Sequence, residues 1–559
     1  MLALLLVGTF STSGMAASKP GNTVTAHRSS LVHPSGDDAE EDDDDGADDP
    51  PEVPNRHVRT LEELRQGYEF QAADGLPLQA FKAPTLPDLK PYTVRALEAK
   101  IDRSTKGSVE VNSIFSESAF KLLLSTASKG FTEFGRRQNG SLRAIFVAGG
   151  YITVPDMARV LPPDVFEQTS PGVYLAHLPI VIRHGATLHI GPEVKQLRLS
   201  QDRGAIIANE GKLFVTKSAI VGWNEAGKRP AWFEDKHQFR PFMVSWGGSQ
   251  TYISESRIAS LGYASTKAYG LSITQYGSAM IERDVWPRPT GWLLNSEIED
   301  LWYGFYSYEA DDFVMRGNTL KNNIKYGFDP HDRSRRLIIA ENEVFGTREK
   351  HGIIISREVK DSWVINNRSH DNTLTGIMLD RQCSNNVVAN NVTFKNGADG
   401  IAISESSKNL VWNNLATGNQ HHGVRVRNST DVRIQDNFLI ANGLTGVYGN
   451  ARSLAELPRD LRIDPYTQTM SMVVVGGQMS GNGTGPIGLD DPTRAAFYNI
   501  DLRTGQRQLG YRFGGMFVAF QLEVLDTLIN QKRVAIIQRR SATAIAATPL
   551  PSYSRIPVK

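Results

Sequence analysis

The chain has 559 residues and a single cysteine, so it is long enough for a sizeable core and cannot form an internal disulfide. Its net charge of +1 hides an asymmetry: residues 1–52 hold 11 acidic and 2 basic residues, which leaves 59 basic and 49 acidic residues in the remainder. A body with a net charge of +10 favours a polyanionic partner. The sequence carries no nucleic-acid-binding motif, so an acidic polysaccharide fits better than nucleic acid.

The N-terminus reads as a secretory signal over residues 1–16. An apolar run at positions 2–10 leads into small residues ending at Ala16 and Ala17, and it is too short to span a bilayer. No Lys or Arg precedes Lys19, a departure that a misplaced start would explain. We therefore predict export, with no membrane span elsewhere. Residues 17–56 contain the acidic tract, which predicts a disordered linker.

Residues 57–135 are predicted to form an N-terminal cap region. Positions 92–101 and 118–124 carry helical spacing. An open β edge invites aggregation, so we expect this region to cover the first coil of the domain that follows.

Residues 136–450 are predicted to form a parallel β-helix, which makes the protein all-β. The central observation is a row of glycines spaced by 23–25 residues, typical of stacked supersecondary units. The row consists of Gly304, Gly327, Gly352, Gly376, Gly400, Gly423 and Gly446. Each glycine is followed by an apolar residue and by period-2 alternation. Asparagines recur nine and four residues before the glycines, with Glu343 interrupting the first row, which predicts amide ladders at repeated turns.

Three outward columns follow from this phase, because neighbouring coils lie about 4.8 Å apart. The position two residues after each glycine reads Tyr306, Asp329, Ile354, Met378, Ala402 and Arg425. The position four residues after it reads Tyr308, His331, Ser356, Asp380, Ser404 and Arg427. The next position reads Glu309, Asp332, Arg357, Arg381, Glu405 and Asn428. We therefore predict that His331 lies one coil from Arg357, with Asp329 and Asp332 beside it.

Residues 451–559 are predicted to cap the far end of the solenoid. The repeat is expected to end near Gly449, and residues 450–515 are rich in loop-forming residues. Apolar spacing over residues 517–540 predicts an amphipathic capping helix.

Three segments carry a family resemblance: the motif Asp-Pro-His-Asp at 329–332 and residues 351–359 and 442–449. They resemble the periplasmic mannuronan C5-epimerases of bacterial alginate biosynthesis. The similarity runs from about residue 60 to the end, and the acidic tract departs from it. The resemblance implies a right-handed parallel β-helix in the periplasm that inverts C5 of mannuronate within the polymer. It also implies alginate as partner and association with export and acetylation proteins.

The residues themselves allow the same chemistry. Removing the C5 proton of a uronate concentrates negative charge on its carboxylate, which an Arg stabilises by a bidentate grip. A His is the side chain best suited to act as base near neutral pH, and Asp329 or Asp332 can orient its ring. The resemblance assigns the base to His331 and charge neutralisation to Arg357.

Further residues extend the predicted site. Substrate contacts are expected from Tyr306, Tyr308, Asp380, Arg381, Arg425 and Arg427. The second proton donor is water by default, with Tyr308 and His370 as weaker candidates. We expect Cys383, His351, His421 and His422 to be structural.

No metal is expected, because Arg357 and Arg381 are interleaved with the nearby carboxylates, and no cofactor is expected either. Two alternatives stay open. The enediolate formed by proton removal can instead expel the glycosidic oxygen, which would make the protein an alginate or pectate lyase. The basic groove can also serve as a non-catalytic polyuronate-binding scaffold of an export complex.

Overall fold

The structure, a computed structural model, describes residues 59–75, 82–114, 130–140, 142–278, 280, 282–455, 460–462, 464–503 and 513–540. The predicted signal peptide, the acidic linker and the helical pattern at positions 118–124 lie outside these residues. Among the described residues, no helix has the length and apolar character needed to cross a bilayer.

The described chain winds as a parallel β-helix in which each regular coil adds one strand to each of three sheets. The predicted all-β fold is thereby confirmed. Sheet 1 carries the outward columns and consists of Ser108–Ser113, Arg143–Ala148, Ile180–Ile182, Ile207–Asn209, Met243–Ser245, Gly270–Thr274, Tyr303–Tyr308, Tyr326–His331, Ile353–Ser356, Ile377–Asp380, Ile401–Ser404, Val424–Arg427, Thr445–Asn450, Gly485–Asp490 and Gly514–Gly515.

The other two sheets close each coil. Sheet 2 consists of Gly150–Thr153, Ala186–Ile190, Lys212–Thr216, Gln250–Ser254, Thr290–Leu294, Val314–Arg316, Ile338–Ala340, Trp363–Ile365, Val387–Ala389, Leu410–Trp412, Val432–Gln435, Ser471–Val475, Arg494–Tyr498, Val534–Arg539 and Tyr68–Ala73. Sheet 3 consists of Phe166–Ser170, Val173–Ala176, Gln196–Ser200, Ala219–Asn224, Arg229–Pro230, Arg257–Ala259, Glu297–Glu299, Thr319–Lys321, Glu343–Phe345, Arg368–His370, Val392–Phe394, Leu415–Thr417, Phe438–Ile440, Gln478–Ser480 and Asp501–Arg503.

The core lies inside the coils, where the apolar residue after each glycine stacks on its equivalent above and below. Every member of this inward column has no exposed surface: Phe305, Phe328, Ile353, Ile377, Ile401, Val424 and Val447. Burying an apolar side chain of this size contributes about 1.5–3 kcal/mol. A Cβ at Gly327 would lie 2.4 Å from the carbonyl oxygen of Gly352, so the close approach of the coils requires glycine there.

Asparagine ladders brace the turns as the sequence predicts. In the first row, Nδ2 of Asn318 donates to Oδ1 of Asn342, and Nδ2 of Asn342 donates to Oδ1 of Asn367, each over 2.9 Å. Asn342 rather than Glu343 occupies the row, so the predicted interruption was wrong. The turn between this asparagine and the repeat glycine that follows it is one residue longer than in the other coils. The asparagine therefore shifts by one position in the sequence but keeps its place in the ladder.

The N-terminal segment clamps both ends of the solenoid. Strand Ser108–Ser113 pairs antiparallel with Arg143–Ala148 and covers the first coil. Strand Tyr68–Ala73, in contrast, pairs antiparallel with Val534–Arg539 at the opposite end. Between them, the carbonyl oxygen of Leu89 accepts a hydrogen bond from Arg316 over 2.7 Å, so this segment runs along sheet 2.

Helical segments are short and lie mainly outside the coils. They are Leu61–Gly67, Val94–Glu98, Gly130–Arg137, Val154–Val160, Glu282–Val285, the 3-10 turn Met516–Phe520, Gln521–Leu525 and the π turn Asp526–Asn530. Thr60 begins the first of them with a capping box, in which Glu63 bonds back to the Thr60 backbone. The predicted capping helix over residues 517–540 is helical only as far as Asn530, because Val534–Arg539 pairs with Arg494–Tyr498 in sheet 2.

The coils do not end near Gly449, and this prediction was wrong. Strand Thr445–Asn450 pairs in parallel with Gly485–Asp490, and the ladder continues from Asn442 to Asn482 across 40 residues. An excursion over residues 451–470 separates the two coils and breaks the 23-residue phase that made the earlier coils recognisable.

Candidate functional site

His331 ends a strand of sheet 1 and is held by the residue that follows it. Its Nδ1 lies 2.5 Å from Oδ2 of Asp332. The backbone enters the left-handed region at Asp332 (φ 34°) and Arg333 (φ 52°), so the chain turns sharply there and brings the carboxylate back against the imidazole. The side chain of His331 keeps 17% of its surface exposed, while Asp332 keeps 8%.

His331 and Asp332 shift each other's pKa. Burial disfavours the charged imidazole, but the carboxylates of Asp332 and, to a smaller extent, Asp329 together raise the pKa of His331 above its ordinary value. Burial also opposes ionisation of Asp332, yet the adjacent imidazole holds the pKa of Asp332 well below its usual range. Asp329 differs, because burial raises its pKa to about 6 against the opposing pull of His331.

Asp329 is buried in the strand that ends at His331, two residues before the imidazole. It is 3% exposed, and Oγ of Ser356 on the next coil donates to its Oδ1 over 3.3 Å. Of the two carboxylates that the sequence offered as partners of His331, Asp332 makes the direct contact and Asp329 acts through its charge.

Arg357 lies on the coil after His331, as the column alignment predicts. Phe328 pairs with Ile353 in sheet 1, and the backbone N–H of Arg333 donates to the carbonyl oxygen of Arg357 over 2.8 Å. Arg357 follows its strand with a φ of 53°, and its side chain is 17% exposed. A guanidinium and an imidazole are therefore held on one outer face by consecutive coils.

Two tyrosines occupy the coil before His331. Tyr306 pairs with Asp329 and Tyr308 with His331 in the sheet register, and the rings of Tyr306 and His331 lie 5.8 Å apart. The phenol oxygen of Tyr308 accepts a hydrogen bond from Arg333 over 3.1 Å.

Lys267, which the sequence reasoning missed, joins these tyrosines from outside the regular repeat. Its Nζ lies 3.2 Å from the Tyr306 hydroxyl and 3.8 Å from the ring centre of Tyr308. It belongs to the segment between Arg257–Ala259 and Gly270–Thr274, where no glycine phase marks a column. Nothing in the repeat pattern would have singled it out.

The remaining predicted contact residues lie on the following coils and face acids. Nε of Arg381 is 3.3 Å from Oδ2 of Asp380. Arg425 lies 2.7 Å from Asp399 and Arg427 lies 3.8 Å from Glu405, with side chains 11% and 6% exposed. They stand in the predicted columns, but as largely buried, paired cations rather than as a solvated basic face.

One further carboxylate reaches this row from outside the coils. Oδ2 of Asp464 lies 3.1 Å from Nη1 of Arg381 and 3.8 Å from Nη2 of Arg357. Asp464 belongs to the excursion over residues 451–470, for which the sequence predicted only loops.

Other titratable residues lie away from this face or are buried. His370 is on sheet 3, stacked between Phe345 and Phe394 with ring centres 5.1 and 4.4 Å away, so it does not reach His331. His351 accepts a hydrogen bond from the backbone of Thr375, and burial lowers its pKa to about 3. Cys383 is fully buried, and burial raises its pKa. Among the described residues, no three His, Cys, Asp or Glu side chains converge as a metal site would require.

Comparisons with known proteins agree with this architecture. Residues 303–456 match the right handed beta helix region family. The chain is 49% identical over 461 residues to the mannuronan C5-epimerase AlgG of Azotobacter vinelandii, covering 81% of this chain and 86% of that protein. It is 45% identical over 478 residues to the mannuronan C5-epimerase of Pseudomonas putida, covering 85% and 92%.

A solved structure extends the agreement to three dimensions. The crystal structure of the periplasmic alginate epimerase AlgG superposes with a TM-score of 0.73 at 42% identity, covering 76% of this chain and 99% of that one. Both the sequence and the fold are thus shared over most of the chain. The protein belongs to the mannuronan C5-epimerase family of isomerases.

Proposed function

We propose that this protein converts β-D-mannuronate into α-L-guluronate residues within polymannuronate, by removing the C5 proton and returning a proton to the opposite face. The observation that carries the proposal is the His331–Asp332 pair with Arg357 on the next coil. It combines a base, its orienting carboxylate and a cation for the substrate carboxylate on one face.

His331 is the proposed base. Asp332 occupies Nδ1, so the ring proton of neutral His331 sits on that nitrogen and the lone pair on Nε2 is directed away from it. Nε2 takes the C5 proton, and the electron pair of the broken C–H bond moves into the carboxylate to give an enediolate. The nearby carboxylates then stabilise the imidazolium that forms.

Arg357 is proposed to neutralise the substrate carboxylate. The enediolate concentrates charge on the two carboxylate oxygens, and a guanidinium matches them with two parallel hydrogen bonds. Because the side chain is largely buried, water screens this interaction less than it would at an exposed site. Arg357 therefore stabilises the enediolate-like transition state more than it stabilises the bound substrate. This difference in stabilisation accelerates the reaction.

The second proton must come from the face opposite His331. We propose water as its donor, with the Tyr308 hydroxyl on the preceding coil as the side-chain alternative. His370 is not a candidate, because it lies on sheet 3.

The polymer is proposed to lie along the columns, from Tyr306 and Tyr308 past His331 towards Arg425 and Arg427. The solved relative is a periplasmic alginate epimerase, and we assign this chain to the periplasm as well. Association with proteins of alginate export and acetylation stays a prediction.

Product analysis separates this function from its alternatives. Incubated with polymannuronate, the protein should give guluronate signals in the proton NMR spectrum. A lyase would instead raise ultraviolet absorbance through unsaturated uronate and lower the viscosity, and a scaffold would change neither. A lyase shares only the first step, removal of the C5 proton, with an epimerase. Membership in the epimerase family therefore favours epimerisation over cleavage.

A further inference from the structure

Asp464 faces the two arginines of the site from outside the β-helix. Its Oδ2 lies 3.8 Å from Arg357 and 3.1 Å from Arg381, and the three side chains keep only 11%, 17% and 6% of their surface exposed. Within the described residues, that buried oxygen makes an ionic contact but no hydrogen bond. The contact is therefore a charge pair of imperfect geometry, which a better-placed carboxylate can replace.

The chain runs back along the axis of the β-helix to bring Asp464 to this position. In sheet 1, Asp380 pairs with Ser404, Ser404 with Arg427, and Arg427 with Asn450. The chain leaves the coils after Asn450, three coils beyond Asp380, and so Asp464 has come back by about 14 Å along the axis. It now lies over the columns that we assign to the polymer.

The base of this excursion is firmly attached. Asn428 donates from Nδ2 to the carbonyl oxygen of Arg452 and accepts from its backbone N–H, both over 2.8 Å. The hydroxyl of Tyr466 accepts a hydrogen bond from the backbone N–H of Leu454 over 2.7 Å. These bonds hold the two ends of the excursion together. They therefore fix the segment that brings Asp464 to the arginines.

The charges around this contact affect how a substrate carboxylate can bind. Asp380 and Asp464 set two carboxylates against the guanidiniums of Arg357 and Arg381. A uronate carboxylate arriving at Arg357 would be a further anion beside Asp464 and would repel it. Binding becomes more favourable when Asp464 withdraws, because the two like charges are then separated and Arg357 can pair with the substrate carboxylate instead.

We infer that Asp464 is an internal stand-in for the substrate carboxylate, which polymannuronate must displace to reach Arg357. The inference rests on the proposed function. In the free protein the stand-in compensates two nearly buried cations. During binding it sets a threshold, since a neutral polysaccharide has no group with which to exchange for it, whereas a polyuronate does.

The test is the variant Asp464→Asn, which removes the charge and keeps the shape. Asp460→Asn is the matched control, because it lies on the same excursion, is exposed and makes the same charge change. Steady-state epimerisation of polymannuronate should show KM lowered about 5-fold or more in Asp464→Asn, as expected when one partly screened ion pair need no longer be broken. The value of kcat should change little, and Asp460→Asn should match the wild type.

A binding measurement makes the outcome independent of turnover. Calorimetric titration of a mannuronate oligomer into His331→Asn, with and without Asp464→Asn, should show tighter binding in the double variant, and thermal melting checks that each variant is folded. An unchanged or raised KM, or a loss confined to kcat, would overturn the inference, since the latter would mark Asp464 as a positioning residue for Arg357. Failure of the wild type to epimerise would instead overturn the proposed function.

Discussion

Nδ1 of His331 lies 2.5 Å from Oδ2 of Asp332, its immediate neighbour in the chain. Adjacent residues of a strand normally point to opposite faces, so this contact exists only because the strand ends at His331 and the next residue turns into left-handed geometry. The carboxylate that we propose to orient the base is therefore supplied by a local turn, whereas the proposed cation comes from the neighbouring coil.

Replacing the base should stop turnover without unfolding the protein. In His331→Asn, the rate of guluronate formation should fall by ~100- to 10,000-fold, the usual loss for a positioned base, while oligomer binding persists. His370→Asn is the matched control, because His370 also contacts an Asp but lies on sheet 3. Near-normal turnover in folded His331→Asn would remove His331 from its role.

The pH dependence of kcat/KM should report the raised pKa of His331. The base must be neutral to accept a proton, so activity should rise with pH through a value above the ordinary histidine pKa of about 6.5. Asp332 raises that pKa most and Asp329 less. We therefore expect Asp332→Asn to move the acidic limb to lower pH, and Asp329→Asn to move it in the same direction by less.

The opposite order of these two pH shifts would contradict the assignment of the acidic limb to His331. Asp329 itself has a pKa of about 6 and titrates in the same range. If the limb belonged to Asp329 rather than to His331, Asp329→Asn would abolish it and Asp332→Asn would leave it nearly in place.

Arg357→Lys should be almost as damaging as Arg357→Ala. A lysine carries the charge but cannot grip both oxygens of a carboxylate, so both variants should lose about 100-fold or more in kcat. Arg368→Lys, an exposed arginine on sheet 3, serves as the control. Recovery of most activity by lysine at position 357 would show that charge alone suffices.

Chelation should leave the reaction largely intact. Two guanidiniums among the carboxylates beside His331 repel a divalent cation and can neutralise the substrate without one, whereas calcium needs about 6 to 8 oxygen ligands. Turnover is measured after exhaustive chelation and again after calcium is restored. Activity that vanishes and then returns would show that a metal carries the charge.

The regular coils could be predicted from the sequence because their period is nearly constant. Glycine where the coils approach closely, the apolar residue that follows it and asparagine at the turn each meet a packing requirement that recurs on every coil. That recurrence is enough to predict that His331 and Arg357 lie on neighbouring coils. The columns could not show which of Asp329 and Asp332 touches the imidazole, because a turn beyond the strand decides it.

Features outside the period were missed. Lys267 and Asp464 come from segments that belong to no column, and their approach to the site depends on tertiary paths that spacing does not encode. The coil after the excursion was overlooked for the same reason. The pairing of Tyr68–Ala73 with Val534–Arg539 joins opposite ends of the chain, and local pattern carries no sign of it.

The most direct test of the central claim is epimerisation of polymannuronate in D₂O. Every new guluronate residue should carry deuterium at C5, because His331 removes the original proton and a solvent-exchanged donor returns another to the opposite face. Chain length should stay unchanged. Guluronate that retains protium at C5, or unsaturated chain ends in place of guluronate, would contradict the proposed mechanism.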